Sequence, residues 1–126
     1  MIVGIGTDIV DVGRIDAMLA RRGEALAQRL LSAAEFDAFK VHPAPARFLA
    51  KRFAAKEAAL KALGTGLRNG MRWADISVVH DALGKPALRL EGAAQQRAGS
   101  LGVSACHLSV SDEQRYAVAF VILERP

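Results

Sequence analysis

The chain carries a single cysteine, Cys106, and that excludes an internal disulfide and any cysteine-based metal cluster. A lone thiol of this kind reads as a small core hydrophobe. Aromatic residues are 6% of the chain, a weak basis for a platform that stacks single-stranded nucleic acid. Long apolar runs are also missing. The longest, Tyr116 to Leu123, has eight residues, whereas a bilayer-spanning helix needs about 20, so no membrane partner is expected. The opening MIVGIGTDIV lacks a basic n-region and a cleavage site, which makes the cytoplasm the expected location. There is no P-loop, no dinucleotide-binding glycine fingerprint, no zinc spacing and no Gly-x-Ser-x-Gly elbow. Neither an internal repeat nor a linker interrupts the sequence.

What is present is an ordered, globular composition. Hydrophobic residues are 52% and charged residues 24% of 126, consistent with one domain over residues 1–126 that buries a core. That length is short for an enzyme building a whole site by itself. The net charge of +4 is uneven: residues 43–72 hold seven Lys/Arg against the single Glu57, a local +6 that leaves the remainder near −2. A concentrated basic patch implies an anionic partner.

The patch coincides with the most informative stretch, RFLAKRFAAKEAALKALGTG from Arg47 to Gly66. At 100° per residue Leu49, Phe53, Leu60 and Leu63 share one stripe, which predicts an amphipathic helix. Pro43 and Pro45 fix its start, and Gly64 and Gly66 end it. Lys56 lies within the apolar stripe, with Arg52 on its border and Glu57 on the other edge. Burying an unpaired charge is costly. Either these charges pair among themselves, or they face an anion and a cation, or the Lys56 stem lies along apolar surface with its head in water.

Elsewhere the patterns predict a strand over Ile2–Val10 and a helix capped by Asp11 through about Arg22, with Val12, Ile15, Met18 and Leu19 inward. Gly23 breaks that helix, a short helical piece runs to Leu31, and Ser32 with Glu35 forms a capping box for a third helix. Leu67–Ala74 reads as loop. Strands are expected at Ile76–His80 and Ala87–Leu90, a helix over Gly92–Leu101, and strands at Ala105–Ser111 and Tyr116–Leu123. On the first of that last pair Cys106, Leu108 and Val110 take one face, and His107, Ser109 and Ser111 the other. Helices grouped early and strands late imply an α+β fold, with a mostly antiparallel sheet packed on helices and one long central helix.

The residues with chemical potential are Asp8 at the end of the first strand and Glu57 on the edge of the basic helix. Two carboxylates without cysteine ligands suit a hard cation such as Mg²⁺, which completes its shell with waters and substrate phosphates. Arg52, Lys56 and Lys61 are then placed to neutralise further phosphate charge. A nucleic-acid-binding module would account for the basic helix but would leave Asp8 and Glu57 without a role, so no nucleic-acid partner is expected.

Four motifs, GIGTDIV, RFAAKEA followed by KALGTG, the GKP of Gly84–Pro86, and HLSVSD with YAVAFVI, together resemble the holo-acyl-carrier-protein synthase family. These are the small 4′-phosphopantetheinyl transferases. The resemblance spans nearly the whole chain and implies the 4′-phosphopantetheinyl transferase fold in a homotrimer, with sites at subunit interfaces. It matches Asp8 and Glu57 to the magnesium ligands. Arg52, Lys56, Lys61, Gly64, Pro86 and His107 match positions that meet coenzyme A, and Arg14, Met18 and Arg21 match the surface receiving an acidic acyl carrier protein. The implied reaction is attack of a carrier serine on the β-phosphate of coenzyme A, releasing adenosine 3′,5′-bisphosphate, with Lys56 offsetting charge on the transferring phosphoryl group. Many family members have a histidine where this chain has Asp112. That leaves the general base open between Glu57, Asp112 and a metal-bound water.

Overall fold

A computed structural model describes all 126 residues. The elements are, in order, β1 (Ile2–Asp11), α1 (Val12–Arg22), α2 (Glu24–Leu30), α3 (Ala33–Val41), α4 (Pro45–Leu63), a short 3₁₀ turn (Trp73–Asp75), β2 (Ile76–His80), β3 (Pro86–Leu90), α5 (Gly92–Ser100), β4 (Ala105–Asp112) and β5 (Tyr116–Glu124). This is an α+β fold with antiparallel pairing throughout: β1-β5-β4 form one sheet and β2-β3 a second. β5 is the central strand of the larger sheet, as its run of apolar residues predicts.

The local signals operate as the sequence suggests. Asp11 caps α1 by accepting from Gly13 N at 2.8 Å and Arg14 N at 3.3 Å. Ser32 and Glu35 complete a capping box on α3, Pro45 occupies the first turn of α4, and Gly64 closes it in the left-handed conformation at φ 77°. The 3₁₀ turn overlaps the end of the stretch read as loop and extends one residue beyond it to Asp75, a one-turn element without periodicity to betray it.

α4 is the axis of the molecule. Of the predicted stripe Leu49, Leu60 and Leu63 are buried and Phe53 is half-buried, and the buried set is wider, because Ala50, Ala54, Ala55, Ala58, Ala59 and Ala62 are buried as well. These alanines let neighbouring elements approach closely on several sides. The tightest approach is to β1: a Cβ on Gly4 or Gly6 would run into the carbonyl oxygens of Ala62 and Ala58. Gly6 and Val10 therefore lie on the inner face of β1, and Asp8 shares that side by strand alternation. Ala117, Ala119, Val121, Leu123 and Leu108 complete the inner face of the sheet. Its outer face is open, with Ile5, Ile9, Val118 and Phe120 each exposed.

Candidate active site

The close packing of β1 on α4 brings Asp8 and Glu57 to one cavity of about 220 Å³, lined also by Arg14, Met18 and Phe53. Phe53 and Glu57 are one helical turn apart on α4, while Arg14 and Met18 are one turn apart on α1. Asp8 Oδ1 accepts from Lys61 Nζ at 3.2 Å, and the same ammonium donates to the Thr7 carbonyl at 2.9 Å. Glu57 Oε1 accepts from the indole Nε1–H of Trp73 at 3.0 Å. Each carboxylate is thus steadied through one oxygen, with its second left over. No third His, Cys, Asp or Glu joins them in a metal-binding cluster; Asp11 borders the cavity but is engaged as the α1 cap. Two oxygen donors suit Mg²⁺, which retains waters and takes further oxygens from a phosphate ligand. The donor set therefore fits that ion.

Lys56 stands apart from this cavity. It is fully buried, and its ammonium donates to Glu35 Oε1 at 2.6 Å, to the Trp73 carbonyl at 3.0 Å and to the Ile76 carbonyl. Burial pulls its pKa below the ordinary lysine value, and the adjacent Glu35 carboxylate opposes that shift. The structure places Lys56 away from the Asp8–Glu57 cavity, where the resemblance expects it to offset charge on a transferring phosphoryl group. All three of its donors are spent inside the core, and it ties α4 to α3 and β2. Of the three readings open at the sequence level, internal pairing holds.

Glu35, read from the sequence only as a helix cap, is the buried partner of Lys56. Besides its capping-box contacts with Ser32, it accepts from Val78 N at 2.9 Å through Oε2 and lies 3.6 Å from Arg52 Nε. The available signal was Lys56 itself, since a lysine in an apolar stripe requires a buried acid. Arg52 borders a different cavity, of about 460 Å³, together with His80 and Arg89. Its guanidinium lies over the Phe48 ring at 4.4 Å, and burial lowers its pKa against the opposing effect of Glu35.

The remaining expected residues fall into separate groups. Gly64 ends α4 one turn beyond Lys61. Pro86 and His107 share a depression of about 330 Å³ with Asp81 and Lys85, and His107 Nε2 lies 3.0 Å from Glu124 Oε1. That contact holds the Glu124 carboxyl below its usual range. Arg21 is in the last turn of α1. Asp112 ends β4, where Arg47 Nη1 and Lys51 Nζ approach its two oxygens at 3.1 and 3.5 Å. Arg47 also donates to the carbonyls of Glu113 and Gln114, so Asp112 is part of a tie between α4 and the β4–β5 turn.

Comparison with known proteins fits this geometry. Residues 4–121 match the family model described as the 4′-phosphopantetheinyl transferase superfamily. A holo-[acyl-carrier-protein] synthase of Photorhabdus laumondii is 56% identical over 124 residues, with 98% of each chain covered. The crystal structure of the holo-[acyl-carrier-protein] synthase from Neisseria meningitidis superposes with a TM-score of 0.93 at 44% identity, covering 99% of this chain and 100% of that one. The corresponding Bacillus anthracis enzyme, solved in complex with CoA (3′,5′-ADP), gives 0.82 at 38% identity, with 100% and 99% covered. The chain belongs to the 4′-phosphopantetheinyl transferase superfamily and, within it, to the holo-[acyl-carrier-protein] synthases.

Proposed function

We propose that the chain transfers 4′-phosphopantetheine from coenzyme A to a serine hydroxyl of apo acyl carrier protein in a Mg²⁺-dependent reaction, releasing adenosine 3′,5′-bisphosphate. The observation that carries this reading is the convergence of Asp8 from a strand and Glu57 from a helix on one cavity, beside Arg14 and Met18. Asp8 and Glu57 would hold the metal. Bound there, Mg²⁺ supplies polarisation of the diphosphate and neutralises part of its charge. Lys61, already against Asp8, takes phosphate oxygens, and Gly64 lets the chain pass close to the same ligand. Arg14, Met18 and Arg21 receive the carrier, which puts its serine next to the carboxylates. We assign that serine's proton to water beside the Asp8–Glu57 pair and not to Asp112, whose oxygens are engaged by Arg47 and Lys51.

Pro86 and His107 lie in another depression of the same chain, so a coenzyme A site using both groups draws on two copies. The exposed apolar face at Ile5, Ile9, Val118 and Phe120 supports such self-association, and the proposed assembly is a homotrimer with sites between subunits. Pro86, with His107 beside it, is assigned to the nucleotide end of the ligand, and Arg52 to its phosphates. No helix is long and apolar enough to cross a membrane, and the proposed setting is the cytoplasm, where a lone thiol such as Cys106 stays reduced.

Mass spectrometry of apo acyl carrier protein after incubation with coenzyme A, Mg²⁺ and the protein tests the reaction. The expected result is a gain of one phosphopantetheine; an unmodified carrier with folded enzyme would overturn it. Sedimentation at equilibrium tests the assembly, with three chains expected.

A further inference from the structure

Trp73 meets both members of the Lys56–Glu57 dipeptide. Its carbonyl accepts from Lys56 Nζ at 3.0 Å, and its indole N–H donates to Glu57 Oε1 at 3.0 Å. The ring itself is fixed on two further sides. Phe53 packs against it with ring centroids 6.0 Å apart, and the Arg29 guanidinium lies 5.4 Å from its centroid. A buried ammonium thus anchors the backbone of a residue whose side chain holds a carboxylate of the candidate site.

We propose that Trp73 is a positioning residue for the metal-binding carboxylate of Glu57, which rests on the reading of Asp8 and Glu57 as Mg²⁺ ligands. A free glutamate loses rotamer freedom when it is captured by a ligand. Here that freedom is already restricted, because the indole holds Oε1 and leaves Oε2 as the donor. Hydrogen bonds to metal-ligating groups commonly matter by about 10–100-fold in metal affinity or activity. Phenylalanine would reproduce the packing on Phe53 but not the N–H.

Two measurements test the assignment. The chain has one tryptophan, so emission from the wild-type protein reports on this residue alone. Titration with MgCl₂ should give a saturable change in emission, absent in Glu57→Gln; no saturable change in the wild type would overturn the proposal. In Trp73→Phe, Mn²⁺ affinity read from the electron paramagnetic resonance of the free ion should fall by about 10–100-fold. Half-saturating Mg²⁺ in turnover should rise by a similar factor, while kcat at saturating Mg²⁺ stays near that of the wild type. A kcat lowered equally at all Mg²⁺ concentrations would mark a merely structural role and overturn the assignment. Unchanged Mn²⁺ affinity in Trp73→Phe, with affinity lost in Glu57→Gln, would overturn the positioning role alone. Wild-type Mn²⁺ affinity in Glu57→Gln would remove the metal reading, and the positioning role with it.

Discussion

Lys56 Nζ lies 2.6 Å from Glu35 Oε1, with the lysine side chain fully buried and the glutamate 3% exposed. The pair spans 21 positions of sequence and joins the central helix to α3. Removing one partner leaves an uncompensated charge in the core, which typically costs about 3–5 kcal/mol. Lys56→Met should therefore lower the unfolding free energy by roughly that amount in urea titrations. Assayed at a temperature where the variant is folded and at saturating Mg²⁺, its kcat should remain within about tenfold of wild type, since a direct acid–base or charge-stabilising role would cost about 10²–10⁴. A larger loss of kcat in the folded variant would restore Lys56 to the chemistry.

Gly6→Ala should harm the site from the face of β1 that Gly6 shares with Asp8. Its Cβ would meet backbone atoms of Ala58 and Ala62 that have no free rotamer with which to yield. Overpacking of this type costs about 1–3 kcal/mol, and β1 can escape only by lifting away from α4. Turnover at limiting Mg²⁺ should fall more than thermal stability does. Wild-type Mg²⁺ dependence in this variant would show that the strand–helix spacing does not govern the site.

Asp112→Asn removes two partly exposed ion pairs and retains an acceptor for Arg47. Exposed pairs are worth about 0–1 kcal/mol each, so stability should drop by at most about that amount per pair. With Asp112 outside the chemistry, kcat should change by less than about threefold, against the 10²–10⁴ a lost base would bring. A hundredfold fall at unchanged melting temperature would make Asp112 the base after all.

Arg14→Glu should act on the carrier and leave coenzyme A binding alone. Arg14 borders the same cavity as Asp8 and Glu57, but an exposed arginine steers an acidic partner over a Debye length of about 8–10 Å. The KM for carrier should rise at low salt, and the defect should shrink as salt increases. An unchanged carrier KM would remove α1 from the docking surface.

His80 sets an acid limit. Burial first, and the cations of Arg52 and Lys51 next, lower its pKa below the ordinary 6.5. The unfolded chain then binds more protons than the native one between the lowered value and 6.5, so stability falls as pH drops through that window. His80→Gln should flatten the melting-temperature profile below pH 6.5. An identical acid slope in the variant would assign the loss to another group.

Much of this molecule is legible in its sequence because its signals are local. Asp11, the Ser32–Glu35 box, Pro45 and Gly64 mark helix ends through their own backbone contacts, and the alternation from Cys106 to Ser111 fixes the faces of β4. The pairing of Asp8 with Glu57 is legible in the sequence, and the structure brings both to one cavity. What escaped depends on contacts distant in sequence. Lys56 looks catalytic until Glu35 is found beneath it, and Trp73 looks like loop filler until its indole reaches Glu57. The alanines of α4 carry no periodic signal, yet β1 packs directly against the backbone at Ala58 and Ala62.

Where β1 crosses α4, no side chain lies between the two backbones at Gly4 and Gly6. A Cβ at either position would push the strand and the helix apart, so the crossing depends on these two glycines. Asp8 and Glu57 stand on the two elements this crossing joins, so the strand–helix distance beneath them is set when the chain folds. The ordering cost that a cation would otherwise meet is carried by folding.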